Sequence, residues 1–499
     1  MTSISNLSSP DLGSPLLWVS VLATTFIVWK IIFNIYLHPL SKYPGPKLAA
    51  ISDLTQSYWT FTGVLHSKLK DLHGQYGDVV RIGPNMLVYR NAQAWKDIFG
   101  HRKSGEGSFL KDQNFYPPTP SGPMLLAADD ANHSRQRRLL AHAFSDRALR
   151  EQEPILQSYV DLLIQQLNNS VASKETVDLT KWFNYITFDI IGDLAFGEPF
   201  GCLKNKGYHS WVTSVFQNVK GGTLMRPFRT LLPPSLLSIL MPAKLLQMRQ
   251  KHHNLSREKV QERLNRQTTR PDFWTYVLRH NDEKGMTVKE MEANADLLIL
   301  AGSETTASVL SGCVYYLLKN PIIYQKLLNE IRGAFEKDED INLISIGKLS
   351  YIHAVLEESL RMYPPVPAIA PRRVPEGGAL INGEFVPEQT SVSIAWYSSL
   401  RSKTNFAEPE SFLPERWLLD NKNPRFASDK KEAQQPFSYG PRNCLGRNLA
   451  YAEMRLIAAK LLWNFDLAFE EECEGWDDQK AYNVWEKKPL NVKLTPVHQ

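Results

Sequence analysis

Residues Phe437–Gly446 read Phe-Ser-Tyr-Gly-Pro-Arg-Asn-Cys-Leu-Gly, and the rest of the chain is organised around them. Gly440 and Pro441 force a tight turn just before Cys444. A helical run, Asn448–Phe465, is predicted just after it, with Leu449, Met454, Leu456, Ile457, Leu461 and Leu462 as its apolar face. Cys444 is therefore expected where a helix N-terminus points free N–H groups and a positive dipole end at its sulfur. Such surroundings lower a thiol's pKa and favour the thiolate. A nucleophile, a redox thiol and a metal ligand all remain open on that ground. The neighbours narrow the choice. Arg442 offers a guanidinium fork for a carboxylate, Phe437 a flat ring, and Gly446 room for something large to approach the backbone.

A thiolate beside a ring, a carboxylate clamp and a close-approach glycine suits haem: iron takes the sulfur, arginine the propionates, and the ring packs on the porphyrin. The stretch resembles the cysteine-ligand loop of the cytochrome P450 family, Phe-x-x-Gly-x-Arg-x-Cys-x-Gly, at every fixed position. Five fixed residue types make a chance match in such a chain about one in ten thousand. The bland alternative is an inert buried cysteine after a turn. The family's other motifs, in order along the chain, argue against it.

The long pattern Thr287–Lys319 predicts a helix of about 50 Å, yet its middle, Ala301-Gly302-Ser303-Glu304-Thr305-Thr306, is made of poor mid-helix residues. Small side chains would let a flat cofactor and a diatomic ligand reach the backbone. Thr305 is placed to compete for the Ala301 carbonyl, opening a local groove. The order is similar to the family's oxygen-activation segment, Ala/Gly-Gly-x-Asp/Glu-Thr. The resemblance implies that Ala301 lies against the haem, that Thr305 hydrogen-bonds the oxygen being activated, and that Glu304 relays protons.

Glu358-Ser-Leu-Arg361 sets a carboxylate and a guanidinium one helical turn apart. An exposed pair would contribute little. The family's Glu-x-x-Arg is instead buried, with a third partner from a Pro-Glu-Arg segment, here Pro414-Glu415-Arg416. Glu358, Arg361 and Arg416 are expected to support the cysteine loop. His133 and Arg137 share a helical face, and the resemblance implies that both reach the haem propionates, with Arg372 as a further contact. Val366 and Ile369 after the proline run, the irregular Gly100–Ala127 segment, Ala301, Thr305 and Trp485 are the expected substrate lining.

At 499 residues, with 57 basic and 52 acidic side chains interspersed, the chain gives no cause to expect a nucleic-acid partner. Cys202, Cys313, Cys444 and Cys473 show no paired spacing, which fits a reducing compartment. Residues 1–15 are polar. Residues 16–37 are apolar with Lys30 the only charge, about 33 Å as helix and enough to cross a bilayer core. Upstream lies only Asp11, downstream Lys42 and Lys47, so the positive-inside rule puts the bulk in the cytosol. A cleaved signal peptide would want a basic start and a shorter core. On this reading Asn6 is the only lumenal glycosylation sequon. Residues 38–46 form a proline-rich hinge, and 47–499 the catalytic domain.

Asp78–Arg90 reads as a hairpin around Gly83-Pro84-Asn85, and Gly377–Trp396 as strands around Asn382-Gly383, a type I′ signal. Trp485 and Leu490–Leu494 suggest a final strand pair. Phe216–Met241 is apolar enough to cover a pocket or touch a membrane surface, though ordinary packing explains it as well.

The resemblance thus implies a mainly α fold with a small β region, a haem-thiolate body tethered to the endoplasmic reticulum membrane by one helix. The implied reaction inserts one oxygen atom from O2 into a small neutral apolar substrate, and membrane lipid is a further implied partner. The cofactor is haem b. Electrons come from NADPH through the FAD and FMN of a separate NADPH-cytochrome P450 reductase, with cytochrome b5 as a second donor, since no nucleotide-binding glycine motif occurs. Arg135, Lys430, Lys431 and Arg447 are the candidate basic patch for that reductase. The phrasing His-Ser-Arg-x-Arg-Arg-Leu-Leu and Pro-Glu-Gly-Gly is most similar to filamentous-fungal members of secondary metabolism, which points to a terpenoid or polyketide substrate. The alternatives are a haem-dependent isomerase, dehydratase or peroxygenase, a fatty-acid hydroxylase, and a non-enzymatic haem sensor.

Overall fold

The long helix, Val288–Lys319, runs through the middle of the molecule and is the element on which the others pack. Thr287 caps it, its hydroxyl accepting from the Glu290 N–H while the Glu290 carboxylate accepts from the Thr287 N–H. This reciprocal capping box satisfies two otherwise orphaned donors. The structure is a computed structural model describing residues 15–497, apart from 104, 118–121, 233–235, 237–242, 267, 269, 282–284, 421 and 471–472. The polar N-terminus with Asn6, and parts of the Gly100–Ala127 and Phe216–Met241 stretches, lie outside the described residues.

The Leu179–Phe196 helix packs along the long helix, buried from end to end. Gly302 makes that approach possible: a Cβ there would stand 2.5 Å from Ile191 Cδ1. The small residue at 302 thus serves helix–helix packing, which corrects the expectation that it makes room for a cofactor. The Ser350–Met362 and Arg447–Asn464 helices close the other side of the same core.

The β region is small, as expected. Strands β1 (Val79–Gly83) and β2 (Met86–Tyr89) form the expected hairpin. They continue into a five-stranded sheet ordered β1-β2-β8-β5-β3, where β3 is Leu110–Lys111, β5 Arg372–Arg373 and β8 Ser391–Ile394. Strands β6 (Ala379–Ile381) and β7 (Glu384–Val386) pair around Asn382 and Gly383, whose φ values of 53° and 78° are those of the type I′ turn. The C-terminal expectation needs correction. Trp485 lies in β11 (Val484–Trp485), paired with β10 (Ala481–Tyr482). Strand β12 (Asn491–Pro496) pairs instead with β9 (Phe465–Phe469) and β4 (Val177–Asp178). Lys488 and Pro489 carry the chain from one sheet to the other.

At the N-terminus an exposed apolar helix, Pro15–Ile32, ends in a π-helical turn, Phe33–Leu37, before Pro39. Leu17–Leu37 is long and apolar enough to cross a membrane. The long helix passes the same test but is mostly buried in protein. The end of the exposed helix is fastened to the body. Buried Arg81 donates from Nη1 to the Asn34 carbonyl at 2.8 Å and from Nη2 to that of Pro84 at 2.7 Å, while Asn34 Nδ2 donates to the Ile51 carbonyl at 2.8 Å.

Candidate functional site

The loop before the Arg447–Asn464 helix is shaped by two residues with positive φ, Ser438 and Gly440. At Gly440 a side chain is impossible: its Cβ would lie 2.0 Å from the Phe99 carbonyl oxygen. The turn is closed by the Cys444 N–H donating to the Phe437 carbonyl at 2.7 Å. Around Gly446 a Cβ would meet only the Phe144 ring, at 3.7 Å, so that position stays open. Cys444 lies deep in the molecule and is nonetheless accessible, so its sulfur faces an interior space. Burial pushes its thiol pKa up, and the Gly446 N–H, Arg137 and Arg447 pull against that without overcoming it. The expected lowering by the helix end is therefore corrected: desolvation outweighs the dipole. A bound metal cation deprotonates a coordinating thiol outright.

Phe437 is half-buried, its ring 5.0 Å from Tyr451 and under the Arg447 guanidinium. Arg137 does not stand free. Its Nη1 donates to the Asn443 carbonyl at 2.7 Å and its Nη2 to Asn443 Oδ1 at 2.5 Å, which ties the helix bearing it to the residue before the cysteine. Arg442 pairs with Asp130 at 2.7 Å but leaves Nη1 buried and without a partner. Arg372, also buried, donates from Nη1 to the Phe109 carbonyl and leaves Nε without a partner. Both arginines line one cleft of about 250 Å³.

The sequence reading missed a further cation here. Lys111 is paired in register with Arg372 across β3 and β5. Burial, then Arg372 and Arg442, push its pKa well below the ordinary value. His133 is held neutral, lowered to about 4 by burial and by Arg442 and Arg137. Arg372 and Arg442, with Lys111 and the neutral His133 ring beside them, thus form a crowded basic cluster near the cysteine loop, with an unused N–H on each arginine. Such a cluster is costly unless an anion completes it. A dianionic group such as the two haem propionates fits it, and the thiol fits the iron of the same cofactor.

On the long helix, Ala301 is accessible while most residues around it are buried. Thr305 Oγ1 donates to the Ala301 carbonyl at 2.7 Å. Glu304 is buried, and its carboxylate pairs with Lys487, which also donates to Ser308 Oγ at 3.1 Å. Glu304 Oε2 has no partner. Of the expected substrate lining, Val366 is half-buried. Ile369 is packed in a core cluster with Val80, Ile82 and Val88, and Trp485 stacks on Tyr363 at 4.7 Å while donating to the Pro364 carbonyl. Ile369 and Trp485 make these packing contacts, and Trp485 also lines a cleft shared with Glu304.

On the cysteine side, Glu358, Arg361 and Arg416 meet with their side chains fully buried. Arg361 donates to both Glu358 oxygens at 2.8 Å. Arg416, the Leu413 N–H and Trp417 Nε1 complete the carboxylate's shell. Arg416 also pairs with buried Asp429. Arg361 Nη1 and Nη2 hold the Leu400, Pro409 and Ser411 carbonyls. The arginines offset Glu358's desolvation and hold its pKa below the ordinary carboxylate value. Arg135, named for the basic patch, is corrected: it pairs with Glu290 and donates to the Gly285 carbonyl at the start of the long helix.

A buried thiol at a helix start, a basic cluster beside it and a threonine-notched helix through the core define a haem-thiolate oxygenase. The sequence profile of the family described as Cytochrome P450 matches residues 44–494. The chain is 50% identical over 474 residues to cytochrome P450 monooxygenase astJ of Aspergillus oryzae, covering 94% of each. It is 46% identical to cytochrome P450 monooxygenase atr2 of Stereocaulon alpinum, over 99% of this chain and 98% of that one. With averantin hydroxylase of Dothistroma septosporum it shares 44%, over 97% and 90%. The chain belongs to the cytochrome P450 family, and of these three relatives two are named monooxygenases and one a hydroxylase.

Proposed function

We propose that this monooxygenase hydroxylates or epoxidises a neutral, apolar terpenoid or polyketide intermediate, with electrons delivered from NADPH by a separate reductase. The observation that carries the site assignment is the set of unused N–H groups on Arg372 and Arg442 next to accessible Cys444. Haem, when bound, supplies the iron at which O2 is activated for insertion of one oxygen atom. Cys444 Sγ would hold its iron. Arg442, Arg372, His133 and Lys111 would hold its propionates, and Arg137 fixes the loop through Asn443. Phe437 and Gly446 shape the cysteine side, and Ala301 the opposite side. Thr305 Oγ1 offers a hydrogen bond towards the oxygen, and Glu304 holds the proton that replaces the one given. Val366 and the 100–127 loop form the substrate wall.

The exposed Leu17–Leu37 span supports a single-pass anchor with the body on the cytosolic face of the endoplasmic reticulum. An anchor beside the bilayer brings lipophilic substrates to the site, where burial contributes about 25 cal/mol per Å2. That one relative is named a hydroxylase supports hydroxylation.

One observation favours a second reading. The Arg226 guanidinium stacks 3.5 Å from the Phe115 ring centroid in the 100–127 loop, and burial lowers its pKa only to about 10. A cation placed there suits a carboxylate, as a fatty acid would need. A spin-state titration of wild type and Arg226→Met with neutral terpenoids, neutral polyketides and fatty acids separates the two. Neutral scaffolds are expected to shift both proteins alike. A shift by fatty acids alone, lost in Arg226→Met, moves the assignment to the second reading.

A further inference from the structure

The polar surroundings of Glu304 do not belong to the substrate side of the long helix. A cleft of about 290 Å³ runs to this carboxylate from an exposed, charged rim where Lys181 pairs with Asp178 and Lys220 with Glu486. Phe216 and Val219 form one wall. Its inner end holds Lys487, whose ammonium is almost fully buried and meets three groups: the Glu304 carboxylate, Ser308 Oγ at 3.1 Å and Asn184 Oδ1 at 3.4 Å. Asn184 in turn donates to Tyr208 Oη at 3.0 Å. The other ionisable groups facing Glu304 are Tyr208 and Tyr363, both raised by burial with the Glu304 charge adding.

Building on the reading of Glu304 as the proton donor for Thr305, we propose that Lys487 is the positioning residue of that donor and that the cleft is its proton inlet. Lys487 binds one carboxylate oxygen and leaves Oε2 without a partner in a fully buried place. A purely structural ion pair uses both oxygens, because an orphaned buried acceptor is expensive. An oxygen kept unbound is free to take a proton. Burial raises the pKa of Glu304, and the Lys487 charge and hydrogen bond pull against that rise. The transfer moves a proton alone. An O–H bond of a hydronium ion relayed along the cleft from bulk solvent breaks as the Glu304 Oε2–H bond forms, leaving neutral water, and that bond breaks as the proton passes towards Thr305 Oγ1. The proton consumed is thus drawn from bulk solvent and its buffer, and the electrons of the reaction come from its reductant.

The test uses the full-length, haem-loaded protein with Glu304→Gln, Lys487→Met and, as a variant that touches neither charge, Val219→Trp to fill the cleft. Lys487→Met should gain at neutral pH, in difference spectra against wild type, the infrared carbonyl band of one more protonated carboxyl, a gain that the Lys487→Met/Glu304→Gln double variant does not show. Its product formed per NADPH should fall about tenfold. Val219→Trp should keep the wild-type infrared spectrum while the H2O/D2O ratio of product formation rises about twofold. Lys487→Met without the band, or Val219→Trp with the wild-type ratio, overturns the proposal. Should Lys487→Met fail to fold, Val219→Trp decides alone. Glu304→Gln with wild-type coupling places the failure in the acid assignment itself. Uncoupling by Glu304→Gln with the other two variants unchanged places it in Lys487 and the cleft.

Discussion

Glu358 and Glu304 are both fully buried glutamates on core helices, each facing a cation, and they are built in opposite ways. Glu358 is surrounded by Arg361, Arg416, the Leu413 N–H and Trp417, so both its oxygens are used. Its pKa is held down. Glu304 has one lysine, an orphaned oxygen and a pKa pushed up by burial. The first arrangement fixes a shape, because fixed dipoles and paired charges leave the carboxylate no alternative. The second keeps a proton affinity in play. The cysteine side of the molecule is built around the closed arrangement, and the long helix keeps the open one at Glu304.

The largest effect expected comes from breaking the cysteine side at its tip. Cys444→Ser should abolish the strongly red-shifted Soret band of the ferrous carbon monoxide complex, because the serine oxygen does not donate electron density as the thiolate does. An unchanged band in that variant would refute the ligand assignment.

Next in size is the hub behind it. Glu358→Gln leaves Arg361 and Arg416 facing a neutral group and should destabilise the fold by about 3–5 kcal/mol. Denaturant midpoints of the loaded protein check this. A shift no larger than that of an exposed substitution would mean that the carbonyls held by Arg361, not the charges, carry the network.

Thr305→Ala sharpens the contrast from the other side. It removes one hydroxyl bonded to the Ala301 carbonyl, so stability should change by no more than about 0.5 kcal/mol. Coupling of NADPH use to product should fall about tenfold, with hydrogen peroxide rising to match. Wild-type coupling in this variant would take Thr305 out of the reaction.

The two sides also differ in how far they could be read in the sequence. Glu358 and Arg361 are one turn apart, and Arg416 arrives in a fixed Pro-Glu-Arg phrase, so local spacing was enough to group them. Nothing local names Lys487. It stands in the run Glu486-Lys487-Lys488, which looks like a solvated charge cluster, and its partner is 183 residues away. Lys111 is hidden for the same reason, being brought to Arg372 only by β3 pairing with β5. Gly302 was read as room for a ligand because composition does not say which helix lies across it; Ile191 does. The Cys444 thiol was expected to be acidified because a helix end is visible in sequence and desolvation is not.

The last effect expected is small at any one step of pH, a slope, and it lies where the two sides meet. Glu453 is on the Arg447–Asn464 helix that follows the cysteine loop, and it bonds to Thr306 of the long helix. Burial raises its carboxyl from 4.5 to about 8, and Oε1 has no partner. The folded protein therefore holds a proton that the unfolded chain has released over that range. Stability from this group is full below the unfolded value and is lost as pH rises towards the folded one, at about 1.4 kcal/mol per pH unit between them. Glu453→Gln is neutral at every pH and should remove that component. Urea unfolding of wild type and Glu453→Gln, stepped from pH 5 to pH 8, gives the comparison. The wild-type stability should fall relative to the variant by about 1.4 kcal/mol for each unit. Parallel curves would mean that Glu453 is charged in the folded state, and that the contact between its helix and the notched one is made by an ionised carboxylate rather than a neutral one.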